Sequence, residues 1–287
     1  MADRQLRPLS LGDIFDEAFD LYKKNIAFFA LVTAVAAVPL NVLVAFVTLH
    51  WMRDLNDAAA VMDNADPMRL FSWFGALAGR AALISPLFVI AYGLEICALA
   101  VATSARYLGE PMTLWAAYRG ALRRFFPLAL TALIYCAANA LGLVLCYVGM
   151  LVPLTLFAFT AHTFMLEGKS YFKALGRSSG LMSGQAMRVF GALLLLSVVY
   201  GVMGVALRLP LAYGFDTLLR ITPAAQGLLG AASGAAHGLS LRSQIVDHVT
   251  GGIIEIILMP FLLSFVTVLY YDLRIRREAF DIELLAR

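Results

Sequence analysis

The sequence predicts an all-α integral membrane protein, a polytopic bundle of about six transmembrane helices that forms a single domain over residues 1–287. Composition is the first reason, because 61% of the residues are hydrophobic and 14% are charged, whereas about 25% of the residues in a soluble domain are charged. Such a chain cannot cover a water-soluble surface with polar side chains. The apolar runs use most of the 287 residues, so no separate catalytic domain is expected.

Six apolar stretches are the second reason. A transmembrane helix needs about 20 mostly apolar residues, because each residue advances about 1.5 Å and the hydrocarbon core is about 30 Å thick. The stretches that meet this length lie at residues 26–50, 81–104, 127–147, 149–166, 189–209 and 249–272. The third and fourth are nearly continuous, and the turn between them is predicted near Gly149.

The distribution of Lys and Arg is the third reason, because short cytoplasmic segments carry the excess of positive charge. Of the 22 Lys and Arg residues, 16 fall on one side of the predicted membrane and six on the other. The six are Arg53, Arg69, Arg80, Arg208, Arg220 and Arg242. Both termini are therefore expected in the cytoplasm, which an even number of spans allows. The net charge of +3 and the absence of a basic tract argue against a nucleic-acid partner.

An amphipathic interfacial helix is predicted before each odd-numbered span. The segment "SLGDIFDEAFDLYKKN" begins with Ser10 and Asp13, which are spaced to cap a helix, and "TLWAAYRGALRRFF" and "SYFKALGRSSGLM" begin at Thr113 and Ser170. Each segment places its apolar residues on one helix face and then leads into a span. The chain is therefore predicted to contain three units, each with one interfacial helix and two spans.

The end of the sixth span contains the predicted membrane-anchor residues. Tyr270 and Tyr271 are expected at the headgroup level, and Asp272 is expected to pair with a basic residue four positions later. The basic residues expected to hold this helix end on the cytoplasmic side are Arg274, Arg276 and Arg277.

Four polar residues inside the predicted spans are candidates for a functional site, and they are Glu95, Asn139, His162 and Glu255. Two roles are open for Glu95, near the middle of the second span: it carries a proton or a cation, or its carboxyl group is protonated or hydrogen-bonded and fixes helix packing. Asn139 and His162 are expected to pack and to form hydrogen bonds. Glu255 shares a helix face with His248, but about 10.5 Å of helix separates their backbones and no third ligand is evident. No catalytic residue, cofactor or metal site is predicted.

Four segments of the chain resemble, in order, the bacterial membrane-domain family named after glycerophosphoryl diester phosphodiesterases. They are "LRPLSLGDIFDEAFDLYKKN", "ARYLGEPMTLWAAYRGALRRF", "MLEGKSYFKALGRSSGLMSGQAMRVFG" and "VLYYDLRIRREAFDIELL". Each is a boundary between a helix and the membrane, and none is a catalytic motif. The resemblance implies a stand-alone membrane domain of the bacterial cytoplasmic (inner) membrane, without a phosphodiesterase barrel, so the enzymatic activity in the family name does not transfer.

Three classes of function follow from these patterns. The first is a non-enzymatic membrane module that organises lipids or partner proteins, including a second copy of itself. The second is a transporter of a small or amphiphilic solute, which Glu95, the prolines within four spans and the approximate repeat favour. The third is a membrane-embedded hydrolase, which needs an acid, base or metal cluster at one depth. The sequence favours them in that order.

Overall fold

The computed structural model describes residues 8–63, 67–145, 149, 151–223 and 241–278, and within these ranges the chain is helical, with no β-strand. The all-α class predicted from the sequence is confirmed for this part of the chain. The helices are α1 (Leu11–Asp63), α2 (Pro67–Tyr107), α3 (Leu114–Arg123), α4 (Phe125–Leu145), α5 (Leu151–Leu156), α6 (Thr160–Met165), α7 (Phe172–Met182), α8 (Ala186–Ile221) and α9 (Leu241–Glu278).

Four helical stretches in the described residues are long and apolar enough to cross a membrane. They are Leu11–Val47, Ile84–Tyr107, Ala186–Ile221 and Arg242–Glu278, and the bent pair Leu114–Arg123 and Phe125–Leu141 is a fifth candidate. Large apolar side chains are exposed along them, such as Val198 at 56% and Val202 at 65%, as expected for a surface that faces lipid. A membrane protein with four or five candidate spans is therefore confirmed.

The predicted fourth span, residues 149–166, differs most from a simple helix. It corresponds to α5 and α6, two helices of six residues each, which are separated by a turn at residues 157–159. Residue 150 and the last two residues of the predicted third span, 146 and 147, lie outside the described residues.

The chain divides into two compact units. Unit 1 comprises Met1–Ala36, Val89–Val202 and Ile256–Arg287, and unit 2 comprises Ala37–Phe88 and Met203–Glu255. In unit 2, the Nδ2 atom of Asn41 donates to Glu255 at 2.8 Å, and Asp247 pairs with Arg208 at 2.8 Å. Asp216 accepts from both Arg220 and Arg242.

The predicted starts of the first two interfacial helices are confirmed by their capping contacts. The backbone N–H of Ser10 donates to Asp13 at 3.0 Å, and the backbone N–H of Asp13 donates to the Ser10 hydroxyl at 3.2 Å, a reciprocal capping box. Thr113 caps α3 by accepting from the backbone N–H of Ala116 at 3.3 Å. Local polar side chains therefore define where these helices begin.

A break in the helix follows each of the three interfacial segments. Asn25 leaves the helical region within α1, with φ −125° and ψ 15°, and an 80° bend separates α3 from α4 at Arg124. Between α7 and α8, Gly184 has φ +79°, a conformation that glycine adopts without steric cost. Each break lets the chain change direction between an amphipathic helix and an apolar one.

The C-terminal helix α9 is the central helix of unit 1. In its candidate span, 61% of the most apolar stretch is buried inside the protein, compared with 17% or 28% for the other three helices. The Phe265 ring lies 4.5 Å from Phe15 of α1, and the Tyr271 ring stacks on Tyr107 of α2 at 5.2 Å. A helix that is apolar on most sides is expected to be surrounded by other helices.

Candidate functional site: an apolar cavity beside an interrupted helix

The interruption between α5 and α6 is stabilised by one hydroxyl group from α7. Ser178 is fully buried, and its Oγ atom accepts from the backbone N–H of Phe159 at 3.1 Å and donates to the carbonyl of Leu156 at 2.9 Å. The interruption removes both backbone groups from the helical hydrogen-bond ladder. Because unsatisfied backbone groups are costly in an apolar environment, Ser178 allows this part of the chain to remain non-helical inside the protein.

The other end of α6 is held by Arg124, the residue at the bend between α3 and α4. Its guanidinium donates to the carbonyl of Phe164 at 2.5 Å, to the carbonyl of Gly168 at 2.8 Å and to the hydroxyl of Ser170 at 2.6 Å. It also lies over the Phe164 ring, 4.2 Å from the ring centre. A basic side chain that donates to the last carbonyls of a helix satisfies groups without an intrahelical partner. The position of α6 is therefore fixed at both ends.

His162 lies in the middle of α6 and is fully buried. Its Nε2 atom is 2.9 Å from the hydroxyl of Thr267 on α9, which in turn is 2.7 Å from the hydroxyl of Thr103 on α2. The imidazole stacks on the ring of Tyr270, with 5.1 Å between ring centres. Its Nδ1 atom has no hydrogen-bond partner among the described residues. The imidazole is thus oriented by α9 and presents one nitrogen that is not engaged by the protein.

A chain of charged and polar groups continues from Tyr270 toward the end of α9. The Tyr270 hydroxyl donates to Glu167 at 2.9 Å, and the other oxygen of Glu167 accepts from Arg177 of α7 at 2.7 Å. Arg177 also contacts Glu278 at 2.5 Å, and Glu278 accepts from Arg274 at 3.2 Å. The carboxylates of Glu278 and Glu167 raise the pKa of Arg177 above its ordinary value. Each charged side chain in this series of contacts therefore has an oppositely charged partner.

An apolar cavity of about 380 Å³ lies within unit 1, bounded by residues of α2, α4, α5, α6, α8 and α9. Its wall is mainly aliphatic and aromatic, and His162, Thr160, Tyr135, Ser197 and Tyr200 are among the polar residues that line it. The volume falls in the range of about 300–1,000 Å³ that is usual for small-molecule sites, which are typically apolar with a few polar groups. The cavity beside His162 is therefore the candidate functional site.

The four polar residues predicted from the sequence occupy different places. His162 lines the cavity, and Asn139 on α4 donates to the carbonyl of Tyr135, a cavity residue, at 2.8 Å. Glu95 is fully buried on α2 and lies near Tyr118, but it is not part of the cavity wall. Glu255 belongs to unit 2 and contacts Asn41. Of the four residues, His162 alone lines the cavity, and Asn139 contacts the backbone of a residue that lines it.

His248 and Glu255 share a helix face, and the sequence analysis predicted no metal site there. In the part of the chain that the structure describes, no group of three His, Cys, Asp or Glu residues could hold a metal ion. Glu255 instead accepts from Asn41 through an amide hydrogen bond at 2.8 Å, a contact that the sequence analysis did not anticipate.

The predicted anchor residues Tyr270 and Tyr271 pack against other helices, and their depth at the headgroups stays a prediction. Their side chains are 0% and 2% exposed and are buried inside unit 1. The reason for this burial is that α9 is the central helix of the unit, so neighbouring helices surround both rings. Of the three arginines, Arg274 contacts Glu278 and Arg277 donates to the carbonyl of Gly180 on α7.

The predicted pair of Asp272 and Arg276 is confirmed, with Arg276 Nε 3.0 Å from both carboxylate oxygens. Asp272 is 1% exposed, and it also accepts from the backbone N–H of Leu9 at 2.8 Å and contacts Arg188 of α8 at 3.1 Å. Both arginines donate to the carbonyl of Leu9. Asp272 therefore connects the segment before α1 with the first turn of α8 and the end of α9.

The sequence analysis missed several residues that build this site, among them Ser178, Thr267, Thr103 and Arg124. The two threonines lie in ordinary apolar runs, and Ser178 lies in the polar stretch "GRSSG", where nothing distinguishes it from its neighbours. Their importance comes from partners that are 19 to 164 positions away in the chain.

Comparisons of the chain with protein-family models, with curated proteins and with solved structures found no match.

Proposed function

We propose that this protein is a non-enzymatic integral membrane module that binds a lipid-like molecule in the cavity of unit 1. The observation that carries the proposal is the apolar cavity of about 380 Å³ with His162 in its wall. A bilayer supplies a high local concentration of molecules that combine an apolar chain with a polar group. The apolar wall suits the chain of such a molecule, and the polar residues suit its headgroup.

The chemistry of the cavity wall favours binding over catalysis. Hydrolysis needs a nucleophile, an acid or base and a charge-stabilising group in mutual contact. The Nε2 atom of His162 is engaged by Thr267, and the imidazole stacks on Tyr270, so this ring is held as part of the structure. Membrane lipids are the proposed ligands, and a protein partner or a second copy of the chain remains part of the same proposal.

Native mass spectrometry of the gently extracted full-length protein tests this function. We expect a retained amphiphilic molecule on the wild type and its loss from Ala158→Phe, because Ala158 lines the cavity and a phenyl ring would occupy the space. Val198→Phe is the matched control, since Val198 is 56% exposed and is not a cavity-lining residue. Equal ligand retention by all three proteins, or none on the wild type, would contradict binding in this cavity.

A transporter is the second candidate, and the interrupted helix α5–α6 favours it. Discontinuous helices at membrane depth recur in transporters, where the non-helical backbone lines a cavity. Here Phe157, Ala158 and Thr160, at the interruption, all line the cavity. The test is movement of a fluorescent fatty acid or lipid across vesicles that contain the purified protein. Movement that depends on the wild-type cavity and is lost in Ala158→Phe would favour the transporter over the binding module.

We further propose that the chain crosses the membrane six times, with both termini in the cytoplasm. The 16 Lys and Arg residues on one side against six on the other support this orientation. In this arrangement α5 and α6 together make the fourth crossing as an interrupted helix. The resemblance to the membrane-domain family named after glycerophosphoryl diester phosphodiesterases supports the bacterial cytoplasmic (inner) membrane as its location.

A further inference from the structure

We propose that the Nδ1 atom of His162 accepts a hydrogen bond from the hydroxyl group of the bound molecule, so that the cavity selects uncharged, hydroxyl-bearing amphiphiles such as long-chain alcohols. This inference rests on the proposed lipid-binding function and specifies the chemistry of the ligand. Three observations lead to it: the proton arrangement around Thr267, the burial of Nδ1 and the absence of charged side chains from the described cavity wall.

The first step is the position of the proton on the imidazole. The Thr267 hydroxyl is 2.7 Å from the carbonyl of Leu263 one turn earlier, and this carbonyl can only accept. The single hydroxyl proton of Thr267 is therefore used in that bond. The oxygen of Thr267 then has two lone pairs for its other neighbours, which are the Thr103 hydroxyl at 2.7 Å and His162 Nε2 at 2.9 Å. The Thr103 hydroxyl can donate either to this oxygen or to the carbonyl of Leu99 at 2.9 Å. The two hydroxyl protons are too few for all four contacts, and a proton on His162 Nε2 supplies a third. The arrangement with the most hydrogen bonds therefore has Nε2 donating to Thr267.

The second step follows from this arrangement. If Nε2 of His162 carries the proton, then Nδ1 of the neutral imidazole carries a lone pair and acts only as an acceptor. This atom is buried and has no partner among the described residues. A buried acceptor without a donor lowers the stability of the protein, because it has lost its hydrogen bond to water. Because His162 also lines the cavity, we assign the missing donor to a ligand in the cavity.

The third step concerns the charge of the ligand. The described residues that line the cavity include no Asp, Glu, Lys or Arg. A charged headgroup would therefore lose its hydration without gaining an ionic partner, which is costly in an apolar environment. A hydroxyl group needs only an acceptor for its proton, and His162 provides one. An ether of the same length has no proton to donate, and a carboxylate has neither the proton nor a cation to meet it.

The experiment compares three probes of equal chain length on the full-length protein in lipid nanodiscs: dodecan-1-ol, methyl dodecyl ether and dodecanoate. We expect the wild type to bind the alcohol about tenfold more tightly than the ether, the factor that corresponds to about 1.4 kcal/mol. His162→Phe retains an aromatic ring for stacking on Tyr270 but has no acceptor nitrogen. In this variant we expect the alcohol and the ether to bind equally.

A direct measurement on the wild type makes the test independent of the variant's folding. The chain contains four histidines, so ¹⁵N labelling of histidine gives few signals, and His162→Phe or His162→Gln assigns the relevant one. We expect the Nδ1 resonance of His162 to shift on addition of the alcohol and to remain unchanged on addition of the ether.

The possible outcomes separate this inference from the proposed function. Equal affinity of the wild type for the alcohol and the ether, or an Nδ1 resonance that does not respond to the alcohol, would overturn the role of His162 but leave lipid binding in place. Preferential binding of dodecanoate would overturn the uncharged ligand class. If none of the probes binds, and Ala158→Phe and Val198→Phe behave like the wild type, both the inference and the proposed function are wrong.

Discussion

At the residue scale, Ser178 shows how one small polar side chain allows an interruption inside the protein. Its hydroxyl supplies both a donor and an acceptor, and it contacts the two backbone groups of Phe159 and Leu156 that the interruption leaves without helical partners. Serine is suited to this role because its hydroxyl can donate once and accept twice and occupies little volume. His162 and the cavity wall depend on this arrangement, since the interruption positions α6.

Ser178→Ala should destabilise the protein by about 1–3 kcal/mol, because it leaves the buried N–H of Phe159 and the partly buried carbonyl of Leu156 without their partner. Thermal unfolding in detergent measures this change. Ser179→Ala is the matched control, since the exposed Ser179 hydroxyl donates to the carbonyl of Gly176 in its own helix. The loss of this hydroxyl should change stability by less than about 0.5 kcal/mol. Equal effects of the two substitutions would show that Ser178 does not hold the interruption.

Glu95 is the second residue whose role a substitution can resolve. It is fully buried on α2, so its carboxyl group interacts within the protein rather than with lipid. If the role is structural, Glu95→Gln should retain most of the hydrogen-bonding capacity and be tolerated, whereas Glu95→Leu should lower the melting temperature. Thermal unfolding and ligand retention are the measurements. A Gln variant that folds stably yet loses all function would instead support proton or cation transfer and therefore the transporter.

At the element scale, the organising features are the breaks that follow the interfacial helices and the contacts that fix the helix ends. Asn25, Arg124 and Gly184 each mark a point where an amphipathic helix gives way to an apolar one. Arg124 combines two roles, because it lies at such a break and also donates to the carbonyl at the end of α6. The ends of α8 and α9 meet in the same way at Asp272, which is contacted by Arg188 and Arg276.

Asp272→Asn should destabilise unit 1, because the substitution removes the buried negative charge that two arginines share. The side chains of Arg188 and Arg276 are 21% and 26% exposed, so solvent reduces the cost, and we expect a loss of about 1–3 kcal/mol in the free energy of unfolding. Asp20→Asn is the control, since Asp20 and Lys24 form an exposed pair with side chains 56% and 66% exposed, and such pairs contribute about 0–1 kcal/mol. A smaller effect at Asp272 than at Asp20 would contradict the role of Asp272 in joining the helix ends.

At the scale of the whole molecule, the main question is how the chain crosses the membrane. Four helical stretches and one bent pair in the described residues are candidate spans, and the proposed six crossings require α5 and α6 to act together as one. Two helices of six residues with the intervening turn cover residues 151–165, which at about 1.5 Å per residue is shorter than a core of about 30 Å. The segments that flank them must therefore contribute to the crossing.

Reporter fusions test the proposed topology. Reporters placed after Arg287, or within residues 112–120 or 168–180, should give a cytoplasmic signal, and reporters near residues 60 or 230 should give an external one. The physical reason is the excess of Lys and Arg in the first set of segments. A cytoplasmic signal near residue 60 would exclude the six-span arrangement, and an external signal within 168–180 would exclude α5 and α6 as a crossing.

Features that depend on composition or on near neighbours in the chain were predictable from the sequence. Hydropathy identified the membrane class, because transfer of apolar surface from water depends on the amount of that surface and not on its partners. The capping box of Ser10 with Asp13, the cap at Thr113 and the pair of Asp272 with Arg276 were also predictable, since their members lie three or four positions apart. Helical geometry alone brings such residues together.

Features that need partners from distant parts of the chain became visible in the folded protein. The hydroxyl of Ser178 meets a backbone 19 positions away, and the contacts of His162 and Thr103 with Thr267 join residues 105 and 164 positions apart. The burial of Tyr270, expected at the membrane surface, follows from the central position of α9. A serine, a threonine or a tyrosine has the same local pattern whether it faces lipid or another helix, so its role is decided by the helices that pack against it.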